Sequence, residues 1–556
     1  MSLADDLKKV VHGEVETSAK ILDTFSRDAS LFAVVPEVVV RPKHTADVCA
    51  VVQYVHVAKE HAPNAHLSIT PRSAGTDMSG GPLNDSIILD MTAHFNRVLE
   101  LGEDSVSVEP GMYFRDFDKQ TKEKNLELPS YTASREINTV GGMVGNNSGG
   151  EKNLRYGKTA RYVQELEVVL ADGKPYMLKK VTGEELRAKK AQQDFEGELY
   201  RRMSTLVADN KKTITKNKPQ VEKNSSGYAL WDMGDGMESL DLARLMVGAQ
   251  GSLGIITKIK FGLVHPQPYS AMTIIFLDSL AELGPIVPQV LKHKPDSFES
   301  YDDHTFTLAV KYFPEFAKQM KAGIISLGIS FLPEVWMLLT GGIPKLVLMV
   351  EFRADTQEEA FKKAEELFEE IKETQPKVGV RVAKNERAAR KYWTIRRESF
   401  SLLRKKIRNK RTAPFIDDFV VPPKSLPEFL PKLEVVLSQY DLTYTVAGHV
   451  GDGNFHIIPL VDPKNPTVRG MIDELSHKVY DLVIEYHGSI SGEHNDGFIR
   501  TPYVEKMFGR EMYALFLQVK QIFDPQNIFN PGKKVGTTYS DALRHLDLPP
   551  APPAKK

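Results

Sequence analysis

The chain is poor in cysteine, with one at position 49. That excludes a disulfide framework, a thiolate metal site and an iron–sulfur cluster, and no CxxCH haem attachment is present. Cys49 lies in the apolar-periodic run ADVCAVVQYV and reads as a helix residue facing the core. Net charge is also lacking, at −1, so neither a nucleic-acid footprint nor an acidic tail is expected. No uncharged apolar run reaches 18 residues. The longest apolar stretch, 324–344, is interrupted by Pro333 and Glu334, which argues against a spanning helix. It reads either as a buried helix pair or as a membrane-surface or partner-docking patch. The opening MSLADDLKKVVHGEVE is charged and amphipathic, without the apolar centre of a secretory signal. A cytoplasmic location is therefore expected, with peripheral contact at the inner membrane face through 324–344 as the open variant.

What is present is length and pattern. At 556 residues, two or three domains are expected. Residues 1–34 read as helices. Residues 35–265 alternate strands, helices and glycine-rich loops in an α+β unit, with Thr45 as the N-cap of a first long helix. The character changes near Pro266. YSAMTIIFLDS and LVLMVEFRAD read as strands, and TQEEAFKKAEELFEEIKET as an amphipathic helix. Residues 266–490 thus suggest an antiparallel sheet with helices on one face. Residues 491–540 read as helices returning to the first unit, and the Pro-rich end, 541–556, as a disordered tail.

Three loops suit a ligand. PRSAGTDMSGG (71–81) joins two strands, and its successive N–H groups could form a nest for diphosphate. It is neither GxGxxG before a helix nor a P-loop. GGMVGNNSGG (141–150) packs five glycines into ten residues, which lets backbone approach a ligand closely. GAQGSLGIIT (248–257) runs into a strand. Each alone is a plain turn cluster. Three within one unit point to a large, elongated, phosphate-bearing cofactor.

HVGDGNFH (449–456) carries the sharpest chemistry. Asp452-Gly453 between two strand-like runs is a hairpin signal. With those two residues as the turn centre, His449 faces His456, their Cβ atoms ~4.5–5.5 Å apart. Two such imidazoles can hold a divalent metal, although ordinary polar neighbours give the same pattern. In GEHNDG (492–497), Glu493 could add a carboxylate ligand and His494 a base. In extended chain those two side chains point to opposite faces, so serving one site requires a bend.

Taken in order, these motifs and FDPQNIFNPGK resemble the FAD-linked 2-hydroxy-acid dehydrogenases: the D-lactate dehydrogenase, D-2-hydroxyglutarate dehydrogenase and glycolate-oxidase flavoprotein group. The resemblance covers roughly residues 30–535. It implies a vanillyl-alcohol-oxidase-type FAD domain followed by an antiparallel-sheet cap domain. The family's diphosphate loop falls on Arg72, Ser73, Ala74, Gly75, Thr76 and Asp77, with Ser79 and Gly80 close by. Its flavin loop falls on Thr139, Gly141, Gly142, Gly145, Asn146, Ser148 and Gly149. The adenine-side strand falls on Gly254, Ile255 and Ile256, and the C-terminal return to the flavin on Asn530. The resemblance assigns a divalent metal, zinc or manganese, to His449, His456 and Glu493. It assigns the base to His494 and an active-site asparagine to Asn454. In YWTIRRESF it assigns the carboxylate-binding arginine to Arg396, with Arg397 the rival.

Departures refine this. Thr76 and Asp77 stand where histidine-linked relatives carry their histidine, so FAD is expected to be non-covalent. Dehydrogenases for 2-hydroxyglutarate carry a Lys where PFIDDFVVP has Ile416, which argues for a monocarboxylate such as D-lactate. The expected function is oxidation of a D-2-hydroxy acid, with electrons passed to a cytochrome, a quinone or an electron-transfer protein. The alternatives are a glycolate-oxidase-type subunit that needs partners, or another FAD-linked oxidase.

Overall fold

The computed structural model describes residues 2–311, 342–406 and 410–549. Most of the apolar stretch 324–344 therefore lies outside the described residues.

The first half carries two sheets. In the smaller, Val38–Arg41 and Ile69–Arg72 flank Ile87–Asp90 in parallel, and Glu14–Glu16 adds an antiparallel edge. Parallel pairing needs crossover connections, and the helix Thr45–His61 supplies one. Its cap position is His44 rather than Thr45, whose hydroxyl donates to Glu167 instead. The edge strand corrects the expectation of helices throughout 1–34, where only Leu3–Val10 and Ala19–Phe25 are helical. The second sheet has six antiparallel strands. Its central strand, Ile255–Gly262, alternates buried and half-buried residues, as expected where one face meets the core.

A third sheet begins at Tyr269. Seven strands, all antiparallel, run in the order 379–383, 269–277, 346–354, 297–302, 446–449, 454–457, 419–420. Helices cover both faces, not one. Gln357–Thr374 packs on the first face, where Ala271 and Ile275 meet Ala364 and Leu367. The helix Glu386–Lys406 lies on the other, where Met272 and Ile274 meet Tyr392 and Trp393. Double coverage explains why the strands Tyr269–Leu277 and Leu346–Ala354 are almost continuously buried.

Val504–Phe523 returns to the first half, where Phe508 and Phe516 pack around Tyr228. The end of the chain is more ordered than its composition suggests. Tyr539–Arg544 is a helix closed by a Thr538/Asp541 capping box, and Leu546 is buried in a bridge with Phe32. Asp547 accepts hydrogen bonds from both Arg27 and Arg411. Among the described residues, no helix is long and apolar enough to cross a membrane.

Candidate active site

The hairpin carrying both histidines has a longer turn than its Asp-Gly signal predicts. Val450–Asp452 forms a single 3₁₀ turn closed by Gly453 at φ 71°, and Gly453 N–H donates to the Val450 carbonyl. His449 therefore faces Asn454, and Ala447 faces His456. The register is shifted by two residues from direct opposition. An even shift keeps the same side chains on the same face, so the two rings still meet, with centroids 5.3 Å apart.

Each imidazole is held from behind by a buried carboxylate. His449 Nδ1 lies 2.5 Å from Glu299 Oε1, on the neighbouring strand, and His456 Nδ1 lies 3.1 Å from Asp417 Oδ1. These contacts leave both Nε2 atoms directed at Glu493 Oε1, at 3.5 and 3.2 Å. Carboxylate–histidine pairs of this kind fix the tautomer and the aim of metal-ligating rings. The donor set of two Nε2 atoms and one carboxylate oxygen fits a divalent cation of the zinc class.

Asp418 makes the bend that Glu493 and His494 require. Its side chain is fully buried and its backbone sits at φ 65°. The carboxylate accepts the N–H groups of Glu493 and His494 and the Ser491 hydroxyl, while its own carbonyl accepts Gly492 N–H. The segment wraps around one carboxylate instead of running extended. Both side chains then reach one site, and the His456 and His494 rings stack at 5.1 Å.

The electrostatics follow from burial and pairing. Burial opposes charge on Glu493, but Lys223, fully buried with Nζ 2.9 Å from Glu493 Oε2, and His449 hold it well below the usual carboxylate range. Burial likewise opposes charge on His456, yet Asp417 and Glu493 push it up to about 10. His494 is raised from its ordinary value, because Asp418 and Asp417 outweigh its burial.

Arg396 and Arg397 separate clearly. Arg397 is engaged at the rim, bidentate on Glu151 at 3.1 and 2.6 Å and 4.4 Å over the Trp393 ring. Arg396 reaches further in, with Nη2 3.2 Å from Glu299 Oε2 and a buried Nε that has no hydrogen-bond partner among the described residues. Glu299 thus touches both this arginine and His449.

A cavity of about 380 Å³ joins these groups to the glycine-rich loops. From the first loop it is lined by Ser73, Ala74, Gly75, Thr76 and Asp77, and from the second by Thr139, Gly141, Gly142, Gly145, Asn146 and Ser148. Gly254 and Ile256 line it from the third, and Arg396, His449, His456, Glu493 and His494 from the cap. A Cβ on Gly145 would meet open space, so this backbone is free to lie against a ligand. A cavity floored by three glycine-rich loops fits FAD.

Seven expected contacts do not line it. Arg72 turns its guanidinium to the Phe25 and Arg27 carbonyls. Ser79 N–H is taken by Asp77 and Gly80 N–H by Asp28, so neither is free for phosphate. Gly149 packs against Lys223 and Glu493, and Ile255 is fully buried in the core. Asn530 clamps Thr70 and the Gly81 and Gln250 carbonyls. Asn454, also fully buried, accepts from Lys223 and donates to Asp418 and the Phe419 carbonyl. It positions the site rather than facing it.

Sequence reasoning did not find Glu299, Asp417, Asp418 or Lys223. The paired Asp417-Asp418 within the apolar run PFIDDFVVP is a usable signal, since unpaired charges are seldom buried. Glu299 and Lys223 lie far along the chain, in segments without a motif.

Two family profiles match this architecture: the FAD binding domain over residues 36–178, and the C-terminal domain of FAD linked oxidases over 267–534. The chain belongs to the FAD-linked oxidases. Among its relatives, the D-2-hydroxyglutarate dehydrogenase of Pseudomonas putida is 27% identical in an alignment of 538 positions that covers 94% of this chain and 50% of that protein. This chain therefore spans about half the length of that relative. The glycolate oxidase subunit GlcD of Bacillus subtilis is 27% identical over 92% of this chain and 91% of its own. The D-lactate dehydrogenase of Archaeoglobus fulgidus is 26% identical over 96% and 99%. The fold matches 4-ethylphenol oxidase from Gulosibacter chungangensis, with a TM-score of 0.68 at 15% identity over 97% of each chain. It also matches p-cresol methylhydroxylase, at 0.65 and 16% over 96% of each. The fold is thus of the vanillyl-alcohol-oxidase type.

Replacing Lys223 by Met should strand the Glu493 carboxylate without its cation. Urea denaturation should show a loss of ~3–5 kcal/mol, the usual cost of breaking a buried pair, with most of it recovered in the double variant K223M/E493Q. Gly453→Ala should also destabilise, because a Cβ there would lie 1.8 Å from the Val421 carbonyl oxygen at a positive φ. At ~2 kcal/mol or more, the loss should appear as a lower thermal midpoint.

Proposed function

We propose that this chain oxidises a short D-2-hydroxy acid of the D-lactate type to its 2-oxo acid, passing a hydride to FAD. One observation carries the reading. The His449, His456 and Glu493 donor set, His494 and the unpartnered Nε of Arg396 border the same cavity as the glycine-rich loops.

Each residue has a part that follows from its chemistry. A guanidinium binds a carboxylate in a fixed, two-pronged geometry, so Arg396 orients the substrate. His449, His456 and Glu493 would hold the divalent cation, which when bound lowers the pKa of a hydroxyl by Lewis-acid polarisation. His494, its Nδ1 turned toward Asp417, offers Nε2 to take the hydroxyl proton. FAD supplies the hydride acceptor.

Preference for a small monocarboxylate is supported by the sheet face beside the histidines, where Thr445, Ala447 and Ile458 line the cavity without charge. It is not supported by Ile416, as first expected: that side chain is fully buried in the cap core and does not reach the cavity. Electrons must then leave to an external acceptor such as a cytochrome, a quinone or an electron-transfer protein. Similarity to a glycolate oxidase subunit favours a second reading, in which turnover needs partner chains.

The test is anaerobic bleaching of the bound flavin by a panel of D- and L-2-hydroxy acids. D-lactate should reduce it at least tenfold faster than L-lactate or D-2-hydroxyglutarate. Equal rates with D-2-hydroxyglutarate would end the monocarboxylate reading, and no bleaching by the isolated chain would favour the subunit reading. His494→Asn should keep the yellow spectrum and slow reduction ~10²-fold or more in stopped flow. Chelation should abolish turnover and leave flavin bound.

A further inference from the structure

Asp417 stands between two imidazoles with different tasks. Its carboxylate is fully buried. Oδ1 lies 3.1 Å from His456 Nδ1, and Oδ2 lies 2.8 Å from His494 Nδ1, at an angle that leaves this second bond incompletely formed. The neighbouring cation, Arg500, donates to the Asp417 backbone carbonyl and not to its side chain. Among the described residues, each carboxylate oxygen therefore has one imidazole to itself.

We propose that Asp417 is a shared positioning residue that sets the tautomers of His456 and His494 together. This rests on the reading of those residues as metal ligand and base. An ionised carboxylate only accepts hydrogen bonds, so each ring must present Nδ1–H to it. The ring lone pair then sits on Nε2 in both cases. On His456 that nitrogen faces Glu493 Oε1 at 3.2 Å and serves the cation; on His494 it is the proton acceptor. The tautomer of a triad histidine is controlled by a carboxylate in the same way, and losing that control costs activity without moving the ring. Here one carboxylate serves two rings, so metal retention and base strength are tied to a single side chain.

The arrangement makes Asp417→Asn informative. An amide offers one acceptor oxygen and, in place of the second, an NH₂ group that only donates. It can satisfy only one ring in the Nδ1–H form, and the other must place its proton on Nε2. If His456 turns, zinc affinity of the flavin-loaded chain should fall ~10–100-fold, the usual effect of removing such a partner. If His494 turns, zinc affinity should hold while flavin reduction slows. Asp417→Glu keeps both acceptors and should recover the affected property in part.

The experiment pairs zinc competition against a chromophoric chelator with nitrogen-15 NMR of labelled histidines in the flavin-loaded protein. In the zinc-loaded wild type both rings should carry Nδ1–H, and in the D417N variant only one. Unchanged zinc affinity with two Nδ1–H signals in that variant would overturn the proposal. Should it fail to fold, the wild-type spectrum decides, because an Nε2–H on His494 is incompatible with the assignment. Failure of the wild type to bind zinc would instead count against the metal-assisted reaction. His494 would then be read in the metal-free chain, at a pH where its ring is neutral.

Discussion

The Asp418 carboxylate organises everything around it. Buried among backbone N–H groups, it cannot be left without donors, since an unsatisfied buried charge costs several kcal/mol. The donors it collects are those of Glu493 and His494, together with the Ser491 hydroxyl and the Asn454 amide. Meeting the demand of one anion folds the 491–494 segment, and that fold sends two adjacent side chains into one space. The convergence of Glu493 and His494 is thus a by-product of a local solvation requirement. Asp418 holds an unfavourable backbone angle as part of the same arrangement.

The site is also a seam between the two halves of the chain. Lys223 from the FAD-binding side reaches Asn454 and Glu493 on the cap side. Lys158 donates to Ser225 and to the Gly492 carbonyl, and burial pulls its pKa down to about 7. Lys534 joins Asp496 to the Ser225 carbonyl, and Asn153 donates to Asp452. These contacts are buried and directional. Sliding the halves would break several of these bonds at once and leave buried polar groups unpaired, which makes relative movement costly at this seam.

Legibility in the sequence followed the range of the interactions. The glycine-rich loops and the hairpin are local signals, and the residues they highlight largely do border the cavity. The even register shift of the hairpin shows why its face was readable even though its turn was not. Errors came where local pattern met distant demand. Ser79 and Gly80 look like phosphate donors, but Asp77 and Asp28 occupy their amides. Asn454 and Asn530 look like contacts and act as internal clamps. Ile416 looked like a selectivity position and is core. Glu299 and Lys223 had no local signature, because a buried ion is meaningful only beside its partner, and the partner is some 150 to 270 residues away along the chain.

The C-terminal turn has a consequence of its own. Through Leu546 it sits against Phe32, and through Asp547 it grips an arginine from each half. What composition marks as a dangling end is, up to Pro549, a buckle that fastens the molecule shut. A label or fusion grafted here would be attached to the fastening itself, whereas an insertion at a solvent-facing loop would leave it closed.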